Sequence, residues 1–197
     1  MGRPPLTERR KAATRLEIAE TAVRLFAEQG VAATSADEIA AASGVSTRTL
    51  WRYFATKESC VRPLLSVGVD SLAAAFRDAP PDRPLAEVFA AVQMGEMEAY
   101  RERDGEPVLT LVRLTRTEPG LRAVWLQTHL EAEPVLAAAL AHRAGEDPEA
   151  LRPRVAAAVI NVALRVAVED FAWKPATPGR TMEAVTREAV RIAAEGL

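Results

Sequence analysis

Apolar side chains recur at three- and four-residue steps along nearly the whole chain, and no strand-like alternation is sustained over five residues. Leu16, Ala19, Val23 and Phe26, widened by Ile18, Ala22 and Leu25, form one such stripe and predict a first helix from Thr7 to Gln29, closed by Gly30 as a left-handed cap. Ser35 with Glu38 three residues on is a capping box, so a short second helix begins near Ala36 and stops at Ser43-Gly44. Ser46 caps a third helix starting at Thr47, and Thr56 a fourth from Lys57 to about Arg77, in which Pro63 is expected to make a kink. Past the Pro80-Pro81 linker, a fifth helix is expected from Pro84 to near Arg103, a sixth from Glu106 to Arg116, and a seventh from Leu121 to about Ala144 with a kink at Pro134. The pattern restarts at Asp147-Pro148 for an eighth helix to Trp173, regular from Pro153, and Thr181 caps a last one to about Glu195. The expected fold is all-α: a three-helix N-terminal domain over residues 1-55 and a larger helical domain over 56-197, about nine helices in all.

The second and third helices are joined by so short a turn that they must cross steeply. Ala40, Gly44 and Leu50 have the helix-turn-helix spacing, in which a small residue lets the helices touch and glycine tolerates positive φ in the turn. With Val45, Leu50 and Phe54 facing inward, Thr47, Arg48, Trp51 and Arg52 point away. Two arginines, a threonine and an aromatic suit a major groove, where Arg takes guanine bidentately and apolar groups meet a thymine methyl. Ser46, Thr49 and Tyr53 on the flank suit phosphate contacts, as do Thr34 and Ser35 at one helix start and Lys57 at another. A basic arm from Arg9 to Arg15 adds minor-groove or backbone charge. Taken singly, each is also readable as an ordinary cap or solvated side chain.

Thr34 to Lys57, reading TSADEIAAASGVSTRTLWRYFATK, resembles the DNA-binding signature of the TetR family, and the first helix with its Leu25-Phe26 ending matches too. The resemblance covers residues 10 to 60, with Arg48 standing where many members have glycine and Ala55 where many have proline. It implies a regulator, more often a repressor, that binds a double-stranded palindromic operator as a homodimer. Farther along, Arg113, the run Glu118-Pro119-Gly120-Leu121-Arg122-Ala123, Leu140-Ala141, and Asp147 to Arg154 are similar to the subgroup whose C-terminal domain takes an acyl-CoA-like ligand, the mycofactocin-system regulators among them. That implies a small-molecule effector of the long-chain acyl-CoA type, or a similar apolar ligand with an anionic head.

Within the eighth helix, Val155 to Val168 is apolar around almost its whole circumference, interrupted along one line by Arg154, Asn161, Arg165 and Glu169. A helix wet on so narrow a stripe is packed from several directions, which places the last two helices in a two-fold four-helix interface; the alternative is the central helix of a monomer. Pocket candidates are Phe89, Met97, Tyr100, Leu111, Trp125 and Asn161, with Arg113, Arg116 and Arg165 for an anionic head group. Core packing accounts for most of these equally well, and an ion pair with Glu169 would account for Arg165.

Composition excludes more than it selects. Hydrophobic residues make up 49%, charged ones 26% and aromatic ones 5%, as in a soluble globular domain. The net charge of -2 hides only a mild asymmetry, nine Lys and Arg against seven Asp and Glu in residues 1 to 60, and sixteen against twenty in the remainder. The stretch Met1 to Arg15 holds five cations and no signal-peptide core, and position 6 is Leu6 where a myristoylation signal needs Ser or Thr. No uninterrupted apolar run of about eighteen residues suggests a membrane span, so the expectation is cytoplasmic with no membrane partner. A single cysteine, Cys60, excludes a disulfide framework and a Cys-rich zinc site, and reads as apolar filler before redox sensor. His129 and His142 are isolated, and no phosphate loop or activated nucleophile is present. No cofactor, metal or catalytic role is expected. A helical small-molecule-binding or interaction protein that does not touch DNA is the second reading, and a helical enzyme the third.

Overall fold

The computed structural model describes residues 6–80, 82–85, 87–89, 91–92, 107–174 and 177–195, and among these every regular element is helical. Three helices open the chain: α1 (Leu6–Gln29), α2 (Ala36–Ala42) and α3 (Thr47–Tyr53). The apolar stripe of α1 is buried as its spacing predicts, with Ile18, Ala19, Ala22, Val23 and Phe26 closed from solvent. Gly30 ends it at φ +86°. Arg9, Arg10 and Lys11 are exposed but lie on α1 itself, so the expected basic arm is helix, and Arg15 is stacked over the Phe54 ring at 5.7 Å.

Ser35 and Glu38 form the full capping box at the start of α2, and Ser46 accepts from the Thr49 amide at 3.1 Å to start α3. Thr56 and Ser59 then cap one another at 3.1 Å in both directions. The expected long fourth helix is divided: a 3-10 turn, Glu58–Val61, precedes α4 (Arg62–Asp78). Pro63 therefore sits in the first turn of α4, where its missing N–H costs nothing, and does not kink a longer helix.

The second half consists of α5 (Pro107–Leu114), α6 (Pro119–Ala144), α7 (Leu151–Trp173) and α8 (Met182–Glu195). Of the helix expected over 84–103, residues 85, 87–89 and 91–92 are helical and the rest lies outside the described residues. α6 runs as one helix through Pro134 and packs along α4 on one side and α7 on another. One apolar cluster joins α1, α2 and α3 to the 3-10 turn, the start of α4, α5 and the first turns of α6. A second holds Leu72 and Phe76 of α4 against Leu136, Ala137 and Leu140 of α6, with Phe89 and Ala157. The stretch Glu58–Asp78 has the length and hydropathy of a membrane span, but Leu64, Leu65, Leu72, Ala73 and Phe76 are buried in these clusters.

α7 is inside out for a surface helix. Asn161 and Glu169 are buried, whereas Leu151, Val155, Val159, Val162 and Val166 are exposed, Leu151 at 75%. The polar line of the sequence pattern thus faces the interior, except for Arg154, and valines face outward. The buried Glu169 carboxylate accepts from Arg122 at 2.5 Å, the Trp125 indole at 2.6 Å and Arg165 at 3.0 Å. Burial works against its ionisation, but these three donors outweigh it and hold the carboxyl below its usual range.

Candidate nucleic-acid interface and ligand cavity

Ala40 is buried at the crossing of α2 and α3, and Gly44 turns the chain between them at φ +66°, a conformation that costs a residue with a Cβ about 1–2 kcal/mol. The Val45 amide donates back to the Ala40 carbonyl at 3.0 Å, which fixes the angle between the helices. Leu50 and Phe54 anchor α3 in the first apolar cluster. On the opposite side Arg48, Trp51 and Arg52 are exposed, Trp51 at 47%, which leaves a large indole in water. Arg52 lies over the Tyr53 ring at 5.1 Å, so its guanidinium is already oriented. Thr47 donates to Asp37 at 2.6 Å, and the Ser46 and Thr49 hydroxyls pair at 2.9 Å. Ser35 is exposed, its hydroxyl engaged by Glu38 at 2.7 Å.

Two of the expected phosphate ligands are occupied elsewhere. Thr34 is 1% exposed and donates to the Gly30 carbonyl at 2.8 Å, closing the turn after α1. The Lys57 ammonium donates to the carbonyls of Val31 at 2.6 Å and Thr34 at 2.9 Å, so it clasps the same turn to the base of α3. Both placements have one cause: the α1–α2 turn leaves carbonyls without helix partners, and these two side chains supply the donors.

A cavity of about 190 Å3 lies between α4, α6 and α7. Leu64, Leu65, Val69 and Leu72 of α4, Val168 and Phe171 of α7, and Phe89 make most of its wall, and the polar part is Trp125, Thr128, His129 and Asn161. Asn161 donates to the His129 carbonyl at 2.8 Å and meets the His129 Nδ1 with its Oδ1 at 2.7 Å. The imidazole stands edge-on to the Trp125 ring, centroids 4.2 Å apart. Burial, against the opposing Asn161 hydrogen bond, pushes the His129 pKa below its ordinary value of 6.5, which favours the neutral ring at pH 7.

Known proteins carry the same two halves. The family of bacterial regulatory proteins called tetR matches residues 18–64, and the MftR C-terminal domain matches residues 79–197. The transcriptional regulator TcmR of Streptomyces glaucescens is 32% identical over 177 residues, spanning 85% of this chain and 77% of that one. The chain belongs to the TetR family of transcriptional regulators. Its fold is shared with the fatty acid degradation regulator FadR of Bacillus halodurans, 19% identical with a TM-score of 0.59, covering 100% of this chain and 98% of that one. It is shared also with the FadR repressor of Thermus thermophilus solved with lauroyl-CoA, 24% identical with a TM-score of 0.53, covering 93% and 94%.

As a TetR-family regulator the protein has no need of catalytic machinery, and among the described residues no group of His, Cys, Asp and Glu is placed to hold a metal. Of the pocket residues expected from sequence, Phe89, Trp125 and Asn161 line the cavity. Leu111 is buried in the first apolar cluster beside it, and Met97 and Tyr100 lie outside the described residues. The three arginines expected at an anionic head group are elsewhere: Arg113 is exposed, Arg116 is exposed and donates to the Trp173 carbonyl at 3.1 Å, and Arg165 is paired with Glu169. His129 escapes a sequence reading because its partner comes from a helix 32 residues away, and spacing along the chain carries no trace of that. Cys60 donates to the Thr56 carbonyl at 3.7 Å, and burial pushes its thiol up to about 12, which removes the thiolate a redox sensor needs.

Proposed function

We propose that the protein is a homodimeric repressor that binds a palindromic double-stranded operator through α3 and releases it when a small molecule fills the cavity between α4, α6 and α7. The observation that carries the reading is the solvent-facing side of α3, where Arg48, Trp51 and Arg52 stand free of the core while Leu50 and Phe54 hold the helix in place. Arg48 and Arg52 are the base readers, with Thr47 and Trp51 beside them on the groove face; Thr49, Ser46, Ser35 and Tyr53 flank them toward the backbone.

The exposed valines of α7, with Ile192 of α8, supply the two-fold interface: a row of half-exposed aliphatic side chains along one helix is a surface that a second copy covers at little cost. The division of labour falls at residue 55, but the apolar cluster crosses that point, so the DNA-reading unit and the body move as coupled parts. Coupling runs through α4 and α6. α4 lines the cavity with Leu64 and Leu65, immediately after the 3-10 turn that succeeds α3. α6 lines it with Trp125, and five residues earlier a Cβ on Gly120 would stand 3.0 Å from the Glu58 side chain of that same turn. A ligand that fits one arrangement of α4 against α6 better than the other shifts the spacing of the paired α3 helices.

An acyl-CoA effector has the lauroyl-CoA complex of the Thermus thermophilus FadR in its favour. The cavity wall supports a smaller, apolar effector instead, because no Arg or Lys is among its described lining residues. The protein works where its DNA is, in the cytoplasm. Selection of bound duplexes from a random pool tests the central claim: the expected product is an inverted repeat with half-sites one helical turn or more apart. Recovery of no enriched repeat by a folded dimer removes the assignment and leaves the reading of a ligand-binding protein without DNA.

A further inference from the structure

The hydrogen bonding of the cavity's polar wall is one-sided. The Trp125 indole N–H is donated to Glu169 at 2.6 Å, and the Thr128 hydroxyl to the Val124 carbonyl at 2.9 Å. Asn161 directs one amide N–H to the His129 carbonyl at 2.8 Å and the other to Glu133 at 3.5 Å. That orients the amide, so its Oδ1 faces His129 Nδ1, and the 2.7 Å contact requires the imidazole to carry its proton on Nδ1. In a neutral ring Nε2 then bears a lone pair and no proton. Every side-chain donor on the described polar wall is thus committed inside the protein, and what remains for a guest is acceptor capacity: Nε2 of His129 and the lone pairs of the Thr128 hydroxyl.

We propose that the cavity selects an uncharged, largely apolar ligand carrying a hydroxyl donor, of the phenol or alcohol class, whose O–H is received by His129 Nε2. The proposal rests on the reading of this cavity as the effector site and names the chemistry it accepts. A carboxylate, phosphate or ester would bring lone pairs to lone pairs, and no cation among the described lining residues compensates. The remaining wall, Leu, Val and Phe side chains, fits a hydrocarbon body. An aliphatic cavity of about 150 Å3 accommodates benzene, so about 190 Å3 suits one or two fused rings or a short chain. Asn161 is the positioning residue, because it fixes the imidazole tautomer.

Three probes of nearly one shape separate the possibilities: 2-naphthol, which has the donor; 2-fluoronaphthalene, which lacks it; and 2-naphthoate, which brings an anion. Isothermal titration of the full-length protein is expected to show 2-naphthol binding about tenfold more tightly than 2-fluoronaphthalene, the net contribution of one hydrogen bond, with 2-naphthoate weaker than either. In His129→Phe, checked for a cooperative melt, the naphthol margin is expected to vanish. Equal binding of the fluoro compound or the naphthoate, no binding of 2-naphthol, or a margin that survives in His129→Phe overturns the proposal; the comparison in the unaltered protein decides even if the variant does not fold. The effector reading has its own readout, affinity for the selected operator. If 2-naphthol binds through His129 and leaves that affinity unchanged, the effector reading falls and the ligand class stands. If 2-naphthoate or 2-fluoronaphthalene releases the operator as well as 2-naphthol does, the reverse holds.

Discussion

Arg48 and Lys57 are both cations on the DNA-reading half of the chain, and a sequence reading assigns both to the nucleic acid. Their surroundings divide them. Arg48 is exposed on α3, whereas Lys57 reaches back to two carbonyls of the α1–α2 turn. Replacing Arg48 by Ala is expected to leave stability unchanged and relax base preference at one operator position by about 1–3 kcal/mol, read from binding to a panel of single-base operator variants. Lys57→Ala should instead appear in denaturant unfolding as a loss of about 1–3 kcal/mol, since two carbonyls of that turn lose a charged donor. Base preference should stay as it was. An Arg48→Ala protein with unaltered preference across the panel would move the reading residue to another part of α3.

At the scale of the element, the caps and stripes of α1, α2 and α3 were legible in the sequence because a helix start is local chemistry: Ser35 with Glu38, and Ser46 with Thr49, meet within one turn. The 3-10 turn Glu58–Val61 was not legible, because a proline in a first turn and a proline at a kink leave the same local pattern. Nor was the orientation of α7. Its polar line was visible, but whether that line faces water or the interior depends on Trp125, His129 and Arg122, which α6 supplies from more than thirty residues away. The candidate site was legible to the same extent: three wall residues by type and place, and none of the arginines, whose partners are set by packing.

The α6–α7 link also sets a pH dependence. The His129 pKa in the folded protein lies below the ordinary value of 6.5, chiefly through burial, so at mildly acid pH the unfolded chain binds the extra proton and the folded one does not. The contribution is complete above 6.5 and is lost as pH falls from there toward the folded pKa, below which it changes no further. Glu169 and Asp170 have carboxyls held below their usual range, so their losses come at more acid pH. Urea unfolding between about pH 8 and about pH 5 should therefore show stability falling with acidity in the unaltered protein and a flatter profile in His129→Gln. Parallel profiles would mean that the imidazole is solvated and not held neutral by the fold.

For the whole molecule the decisive surface is the outward line of α7. Val155, Val159, Val162 and Val166 are 50%, 42%, 45% and 48% exposed, while Asn161 and Glu169 on the other side are closed off. Leaving four valines half in water is costly for a monomer, and that cost disappears if a second copy covers the row. The consequence for DNA is one of valence. On the function proposed above, the two exposed arginines of each α3 serve one half-site, and two half-sites held by one dimer bind far more tightly than one because the second contact is intramolecular. Val162→Glu should therefore turn the dimer into a monomer in sedimentation at micromolar concentration, leave the α1–α3 unit folded, and lower affinity for the complete operator by about a hundredfold or more. Affinity for an isolated half-site should change little. A variant that stays dimeric with a glutamate in this row would place the interface elsewhere, and one that becomes monomeric yet holds the full operator undiminished would show that a single α3 suffices.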